Sequence, residues 1–351
     1  MKAAVYYGIG DVRIEERGIP VAGPNQMVVK IEYCGICGTD VEAYRHGIIK
    51  PPIVLGHENV GVVHQVGEGV LGYKVGDRVL CGPPATCSKG CASCKSGRTN
   101  ICATGFERTA GIGGPDGGFA EYLLIQDVAH TMILPIPDEV AFEDAVLFDI
   151  YCVSLHAIRR SNFKSGDTVV VSGTGPIGLA AMLLLSMAGA RKIIALGRTK
   201  EKEALAKQFG ADAYISTEDC PDIRGEICNI LQNEEGADIA FECAGNQKSL
   251  LNCIFHTTRN GRQVVLVGTI GEPMDQLVLA QVSPREIDII TSFVYTEEEI
   301  GMFLDLLKTS AEIFPAMVTG IISLEELVEK GLARTNKGQQ MKILLAPGEQ
   351  K

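Results

Sequence analysis

Between Thr168 and Ala190 the chain runs 23 residues without a charge, TVVVSGTGPIGLAAMLLLSMAGA, long enough to span a bilayer. Gly173-Thr174-Gly175-Pro176 divides it, with β-branched residues before and helix formers after. That order demands a buried strand, a tight turn and a buried helix rather than one spanning helix. From about residue 165 onward the chain keeps this rhythm. The pattern predicts strands over 192–196, 213–215, 237–241, 262–267 and 287–291, alternating with helices over 200–209, 223–232 and 247–257. Alternating strands and helices imply an α/β fold in which helices cover both faces of a doubly wound parallel sheet of the Rossmann type.

Residues 1 to about 155 have a different texture. Short strands are expected over 27–33, 61–66 and 77–80, broken by Gly, Pro and Asn, which describes a β-rich module with long loops. Near residue 293 the βα rhythm stops, and a polar helix (297–307) and a terminal strand (341–345) follow. A chain of 351 residues is long for one core, so two domains are expected. A net charge of −11 argues against nucleic acid or an anionic membrane as partner. The opening MKAAVYYGIGDVRIEE has no long apolar run and no small-residue cleavage site, so a cytoplasmic location is expected. There, twelve cysteines are thiols and metal ligands rather than disulfides.

The turn Gly173-Thr174-Gly175-Pro176-Ile177-Gly178 sits where a dinucleotide-binding loop must, between an apolar strand and a helix. Gly173 makes the turn, Gly175 lets a pyrophosphate approach the backbone, and Gly178 lets helix and strand pack; the helix N-terminus faces the phosphates. NAD-selective loops carry an acid at the end of the second strand. This chain has Gly197 there, followed by Arg198, which favours NADP over NAD because an arginine fork can hold a 2′-phosphate that a carboxylate would repel. Lys202, Val267 and Ser292 are placed with them as cofactor contacts.

Seven of the cysteines lie between residues 34 and 102. Cys87, Cys91, Cys94 and Cys102 fall within 16 residues rich in Gly, Ser and Lys, which no hydrophobic core would explain. Four thiolates satisfy tetrahedral zinc completely, so this is expected to be a closed, structural site. Cys81, Cys152, Cys220, Cys228, Cys243 and Cys253 read as small core residues. Cys37, in CGICGTD, together with His57 and Glu58 of Gly56-His57-Glu58 could instead form an open site.

CGICGTD, GHE, the four-cysteine lobe, GTGPIG and Phe241-Glu242-Cys243-Ala244-Gly245 occur in the order found in zinc-dependent medium-chain dehydrogenases. End to end, the chain resembles their sorbitol (polyol) and threonine dehydrogenase branch. The resemblance implies a GroES-like, zinc-binding catalytic domain at 1–155 and 293–351 around a dinucleotide-binding domain at 156–292. It implies two zincs per chain, the catalytic one held by Cys37, His57, Glu58 and, in a position where relatives carry Glu, Asp149. Thr39 is then the hydroxyl of the proton path, and Tyr44, Phe119 and Tyr295 are placed on the substrate side. It implies a Lewis-acid zinc that lowers the pKa of an alcohol whose hydride passes to nicotinamide. A homodimer or homotetramer is expected.

Two departures bear on substrate. Where the family carries a relay His, this chain has Glu42, with His46 as the other candidate relay, and where polyol dehydrogenases carry Arg before a late Tyr it has Val294-Tyr295. A cation lost and an anion gained make an amino polyol a candidate beside a plain polyol. L-Threonine 3-dehydrogenase is the alternative activity. A non-catalytic, zinc-stabilised dinucleotide sensor is the alternative from another class.

Overall fold

The computed structural model describes residues 1–271, 273–274, 277, 279–314, 316–333 and 341–348. The chain divides into two compact units, Met1–Asp149 with Val294–Lys351, and Ile150–Phe293.

The uncharged stretch of the second unit folds as strand Thr168–Ser172, turn, and helix Pro176–Met187. Every residue of the strand is buried, and so is Gly178–Leu185 of the helix. A helix apolar on all sides needs burial on all sides, which the second unit provides. Six parallel strands follow the spatial order Ala213–Ser216, Lys192–Gly197, Thr168–Ser172, Ala237–Glu242, Thr258–Leu266, Asp288–Thr291. Numbered along this unit, that is 3-2-1-4-5-6, so the order reverses between Thr168–Ser172 and Ala237–Glu242, where such sheets bind ligands. Gly173 and the following helix N-terminus lie at that reversal. No helix among the described residues is long and apolar enough to cross a membrane.

The helix expected over 247–257 is α-helical only at Gln247–Leu251 and widens to a π-helical turn at Asn252–Thr257. The hydroxyls of Thr257 and Thr258 both donate to the Cys253 carbonyl, at 3.0 and 2.8 Å. Side-chain donors competing for a helix carbonyl end the regular ladder there. The next strand therefore begins at Thr258, four residues before the apolar run that marks it in the sequence.

In the first unit a seven-stranded sheet runs Val318–Ile322, Lys342–Leu345, Met27–Gly35, Glu58–Val66, Arg78–Gly82, Met132–Pro135, with Tyr122–Ile125 also paired to Met27–Gly35. Lys2–Gly8, between Asp11–Glu16 and Ile53–Val54, forms a second, three-stranded sheet. The core packs Ala4, Tyr6, Ile31, Cys34, Leu55 and Phe119 together. The late strand Lys342–Leu345 is buried along its whole length and pairs Leu344 with Gly35 and Leu345 with Cys34. That register carries a lysine from the end of the chain to the strand that leads into Cys37.

Candidate metal centre and cofactor loop

Cys37 lies just past the strand Met27–Gly35 and caps the helix Gly38–His46. Its backbone N–H donates to Asp40 Oδ2 at 2.9 Å, and the Gly56 N–H donates to Asp40 Oδ1 at 3.3 Å. The fully buried Asp40 thus ties the loop carrying Cys37 to the loop carrying His57, whose Nδ1 lies 3.6 Å from Asp40 Oδ1. The ligand atoms of Cys37, His57 and Glu58 all fall within 4.8 Å of one another. His57 Nδ1 and Glu58 Oε1 are buried without a hydrogen-bond partner. Buried polar atoms are rarely left orphaned, and a Cys–His–carboxylate set around such atoms fits zinc with a position left for a further ligand.

Two neighbours hold the carboxylates. Lys342, 4% exposed, forms an ion pair with Glu58 Oε2, and its Nζ also donates to the Ile36 carbonyl at 3.3 Å. Burial pushes the Glu58 carboxyl up, Lys342 pulls it down and Asp149 adds to the rise, so that it lies above the usual carboxylate range. Burial lowers Lys342, yet Glu58, Cys37 and Asp149 hold it above its ordinary value. Gly35 leaves the space this pair needs, since a Cβ there would meet both Glu58 Oε2 and Lys342 Cε below 3 Å. Asp149 is not in the Cys37–His57–Glu58 group; its Oδ1 accepts a hydrogen bond from the Tyr295 hydroxyl at 2.7 Å.

Thr39 Oγ1 lies 3.7 Å from Cys37 Sγ. Glu42 and His46 are more than half exposed and face each other one helical turn apart, with 3.7 Å between carboxylate and ring nitrogen. Tyr44 is half-buried against the core. Two substrate-side assignments need correction. Phe119 is fully buried core, its ring so close to Gly56 that a Cβ there would come within 2.4 Å. Tyr295 is fully buried, and its hydroxyl is spent on Asp149. A cavity of about 440 Å³ in the first unit is bordered by His57, Asn59, Arg108 and Asp127, and by none of Tyr44, Phe119 and Tyr295.

In the lobe, the sulfurs of Cys87, Cys91, Cys94 and Cys102 also lie within 4.8 Å of one another, all partly exposed. Cys91 caps the short helix Ala92–Lys95, and its N–H donates to Cys87 Sγ at 3.1 Å. Backbone N–H groups of Ala103 and Cys94 bring the Cys91 thiol down to about 6, a pKa suited to a metal-binding thiolate. Of the cysteines read as core, Cys81, Cys152 and Cys253 are buried, while Cys220, Cys228 and Cys243 are only half-buried.

At the dinucleotide loop Gly173 takes φ +115°, and a Cβ on Gly178 would fall 1.9 Å from the Gly173 carbonyl oxygen. Both positions therefore require glycine. Gly175 caps the helix that Pro176 opens, with Ile177 next; a Cβ on Gly175 would meet only open space, as a loop approached by phosphate needs. Lys202 Nζ donates to the Thr174 carbonyl at 3.0 Å. Gly197 ends its strand under the ring of Tyr214, and Arg198, 81% exposed, lies 3.7 Å from Glu218. Val267 N–H donates to the Glu242 carbonyl, and Ser292 N–H to the Leu266 carbonyl, each at 2.9 Å. Ser292 Oγ is buried without a partner. Glu242 Oε1 accepts the N–H groups of Ala244 and Gly245, pinning the FECAG turn.

Asp40, Lys342 and Tyr214 were not singled out in the sequence. Lys342 had a signal, a charge inside the apolar run Met341–Ala346, and Asp40 stood within CGICGTD.

The alcohol dehydrogenase GroES-like domain family matches residues 23–138, and the zinc-binding dehydrogenase family matches residues 176–309. The chain is 33% identical to sorbitol dehydrogenase of Bacillus subtilis, over 99% of this chain and 97% of the relative. It is 33% identical to (R,R)-butanediol dehydrogenase of the same organism, over 99% and 100%. Among solved structures it is similar to a zinc-binding dehydrogenase from Sinorhizobium meliloti 1021 bound to NADP (TM-score 0.88, 29% identity, 99% of each chain). An alcohol dehydrogenase from Escherichia coli CFT073 complexed with NADH gives TM-score 0.87 at 27% identity, again over 99% of each chain. Threonine dehydrogenase gains no specific support from these relatives. The chain belongs to the zinc-dependent medium-chain dehydrogenases, in their sorbitol-dehydrogenase-like branch, and is an oxidoreductase acting on CH–OH donors.

Proposed function

We propose that the chain interconverts a secondary alcohol of a polyol and its ketone with NADP, using zinc held by Cys37, His57 and Glu58. The observation that carries this reading is the grouping of those three ligand atoms within 4.8 Å, in a pocket where His57 and Glu58 are buried. The unit Met1–Asp149 with Val294–Lys351 is the catalytic domain, its first boundary six residues earlier than the expected 155, and the unit Ile150–Phe293 binds the dinucleotide. Zinc bound there supplies a Lewis acid and the dinucleotide supplies the two-electron chemistry. The chain's own residues do the rest. Asp40 fixes the Cys37 and His57 loops against each other. Lys342 balances the Glu58 charge inside the core, which would otherwise be costly to bury. Thr39, beside Cys37 Sγ, is the hydroxyl that takes the substrate proton toward solvent. On the same helix, Glu42 and His46 form an exposed acid–base pair suited to passing it on.

Cys87, Cys91, Cys94 and Cys102 hold a second, structural zinc, their four sulfurs leaving no open position. NADP is favoured because Gly197 cannot carry a carboxylate beneath Tyr214 and Arg198 is free of the core. We further propose a cytoplasmic homodimer or homotetramer. The test is cofactor reduction over plain polyols, amino polyols and L-threonine with NAD and NADP, together with a metal count. Two zincs per chain and polyol turnover with NADP are expected. Turnover of L-threonine alone, or one zinc that survives Cys37→Ala, would refute the proposal.

A further inference from the structure

Tyr295 lies where no substrate contact would put it. The residue before it, Val294, holds φ +54°, a conformation that a β-branched side chain adopts only as an outlier. Such strain persists where the surroundings over-determine it, and it concentrates at functional sites. Here the kinked backbone precedes a fully buried tyrosine. Its ring meets Phe148 edge-on, 6.1 Å between centroids and 80° between planes. Phe148 in turn fills the space over Gly82, where a Cβ would fall 2.6 Å from its ring. The stack ends in a hydroxyl 2.7 Å from Asp149 Oδ1. Gly82 also borders the loop of the metal centre, since the same Cβ would lie 3.5 Å from the His57 carbonyl oxygen, so the stack beside Asp149 packs against that loop.

Resting on the zinc reading of Cys37, His57 and Glu58 given above, we propose that Tyr295 is a positioning residue of the metal centre that acts through Asp149. Its hydroxyl takes one lone pair of Oδ1 and so holds the carboxylate in one orientation toward the centre. The carboxylate cannot rotate away without losing a buried hydrogen bond. Tyr295 does not touch substrate in this role. Outer partners of this kind orient groups at a metal and tune the affinity of the site.

Tyr295→Phe keeps the ring and its stacking and removes only the hydroxyl. Chelator competition on the zinc-loaded chain would measure each of its two metals, and cobalt exchanged into the Cys37 centre would report the ligand field. The expected result is a roughly ten- to hundredfold loss of affinity at the Cys37 centre with the lobe unchanged, the usual scale for such partners. The visible cobalt bands should shift as well. In an Asp149→Asn background the same change should add no further loss, because the two residues act as one unit. Unchanged affinity and an unchanged cobalt spectrum would overturn the proposal. So would a raised KM for polyols with metal affinity intact, which would return Tyr295 to the substrate. Should Tyr295→Phe fail to fold, Asp149→Asn alone carries the same expectation for affinity and spectrum. A wild-type chain that binds metal only in the lobe would instead remove the reading of the centre on which the proposal rests.

Discussion

Gly197 offers a test of how the second unit chooses its dinucleotide. The simple expectation is that Gly197→Asp would restore the acid that holds the ribose of NAD. The structure says this single change must fail. A Cβ at 197 would lie 1.6 Å from the Tyr214 hydroxyl, 2.4 Å from Cζ and 3.0 Å from Cε2. The whole ring edge is in the way, and the hydroxyl is held by the Thr199 carbonyl at 2.5 Å. Moving the ring forfeits that hydrogen bond, about 1 kcal/mol, and forces an extra side chain into a packed strand end, about 1–3 kcal/mol. Gly197→Asp alone should therefore lose roughly 2–4 kcal/mol, taking the two together. Pairing it with Tyr214→Val clears the space. The carboxylate can then make charge-assisted hydrogen bonds worth about 1.5–3 kcal/mol, a ten- to hundredfold gain in NAD affinity, and should repel the 2′-phosphate of NADP.

Thermal unfolding of the three variants and fluorescence titration with both dinucleotides would decide it. A single Gly197→Asp variant as stable as wild type would refute the steric argument. A stable double variant that still binds NADP more tightly than NAD would refute the assignment of Gly197 to the ribose position.

The other predictions are brief. Cys94→Ser should cost one zinc per chain by elemental analysis and leave the loop's dinucleotide titration unchanged. Lys342→Met leaves Glu58 buried without its cation, which should cost about 3–5 kcal/mol in denaturant unfolding of the metal-free chain; wild-type stability would show that the pair carries no weight. Zinc entering the Cys37 centre should release protons, measured with an indicator in weak buffer, because its ligands bind deprotonated; uptake without proton release would contradict the assignment. In the second unit burial raises the Asp238 carboxyl, but the Thr168 N–H and hydroxyl, with Arg259 and Arg262, bring it below its ordinary 3.8. Its stabilisation is complete above that ordinary value and is lost as pH falls through the lower native one. Asp238→Asn should accordingly melt earlier than wild type near pH 6, with the gap narrowing as pH falls below 3.8.

What the sequence made legible was local. The uncharged stretch announced its strand, turn and helix because glycine and proline punctuate it, and the four-cysteine lobe announced itself by spacing, whereas Cys37, His57 and Glu58 stood out as a set through the family resemblance. The misses share one cause, which is tertiary register. Phe119 and Tyr295 are aromatic residues near site motifs, and nothing in their neighbours says whether a ring faces a pocket or the core. Lys342 looked like a charge interrupting an apolar strand, the usual mark of an exposed edge. Only the pairing of Leu344 with Gly35 shows that this position points into the protein, beside Glu58. The π-helical turn at Asn252–Thr257 was hidden for a related reason, since two threonine hydroxyls meeting one carbonyl break a helix that the apolar spacing supports.

The return of the chain to the first unit then has a chemical reason. Cys37, Asp40, Glu58 and Asp149 are a half-buried thiol and three buried carboxyls, and every one of them comes from the first 149 residues. Such a set cannot be buried unaided, because each charge taken from water must find a partner. Asp40 finds two backbone N–H groups and His57 within its own segment. Glu58 and Asp149 do not: the first takes Lys342 and the second takes Tyr295, both supplied after residue 293. His57 lies among them with Nδ1 making no hydrogen bond, and Cys, His and carboxylate are ligands that zinc accepts. The N-terminal β-rich segment thus supplies the acids, and the final segment supplies the groups that restrain two of them.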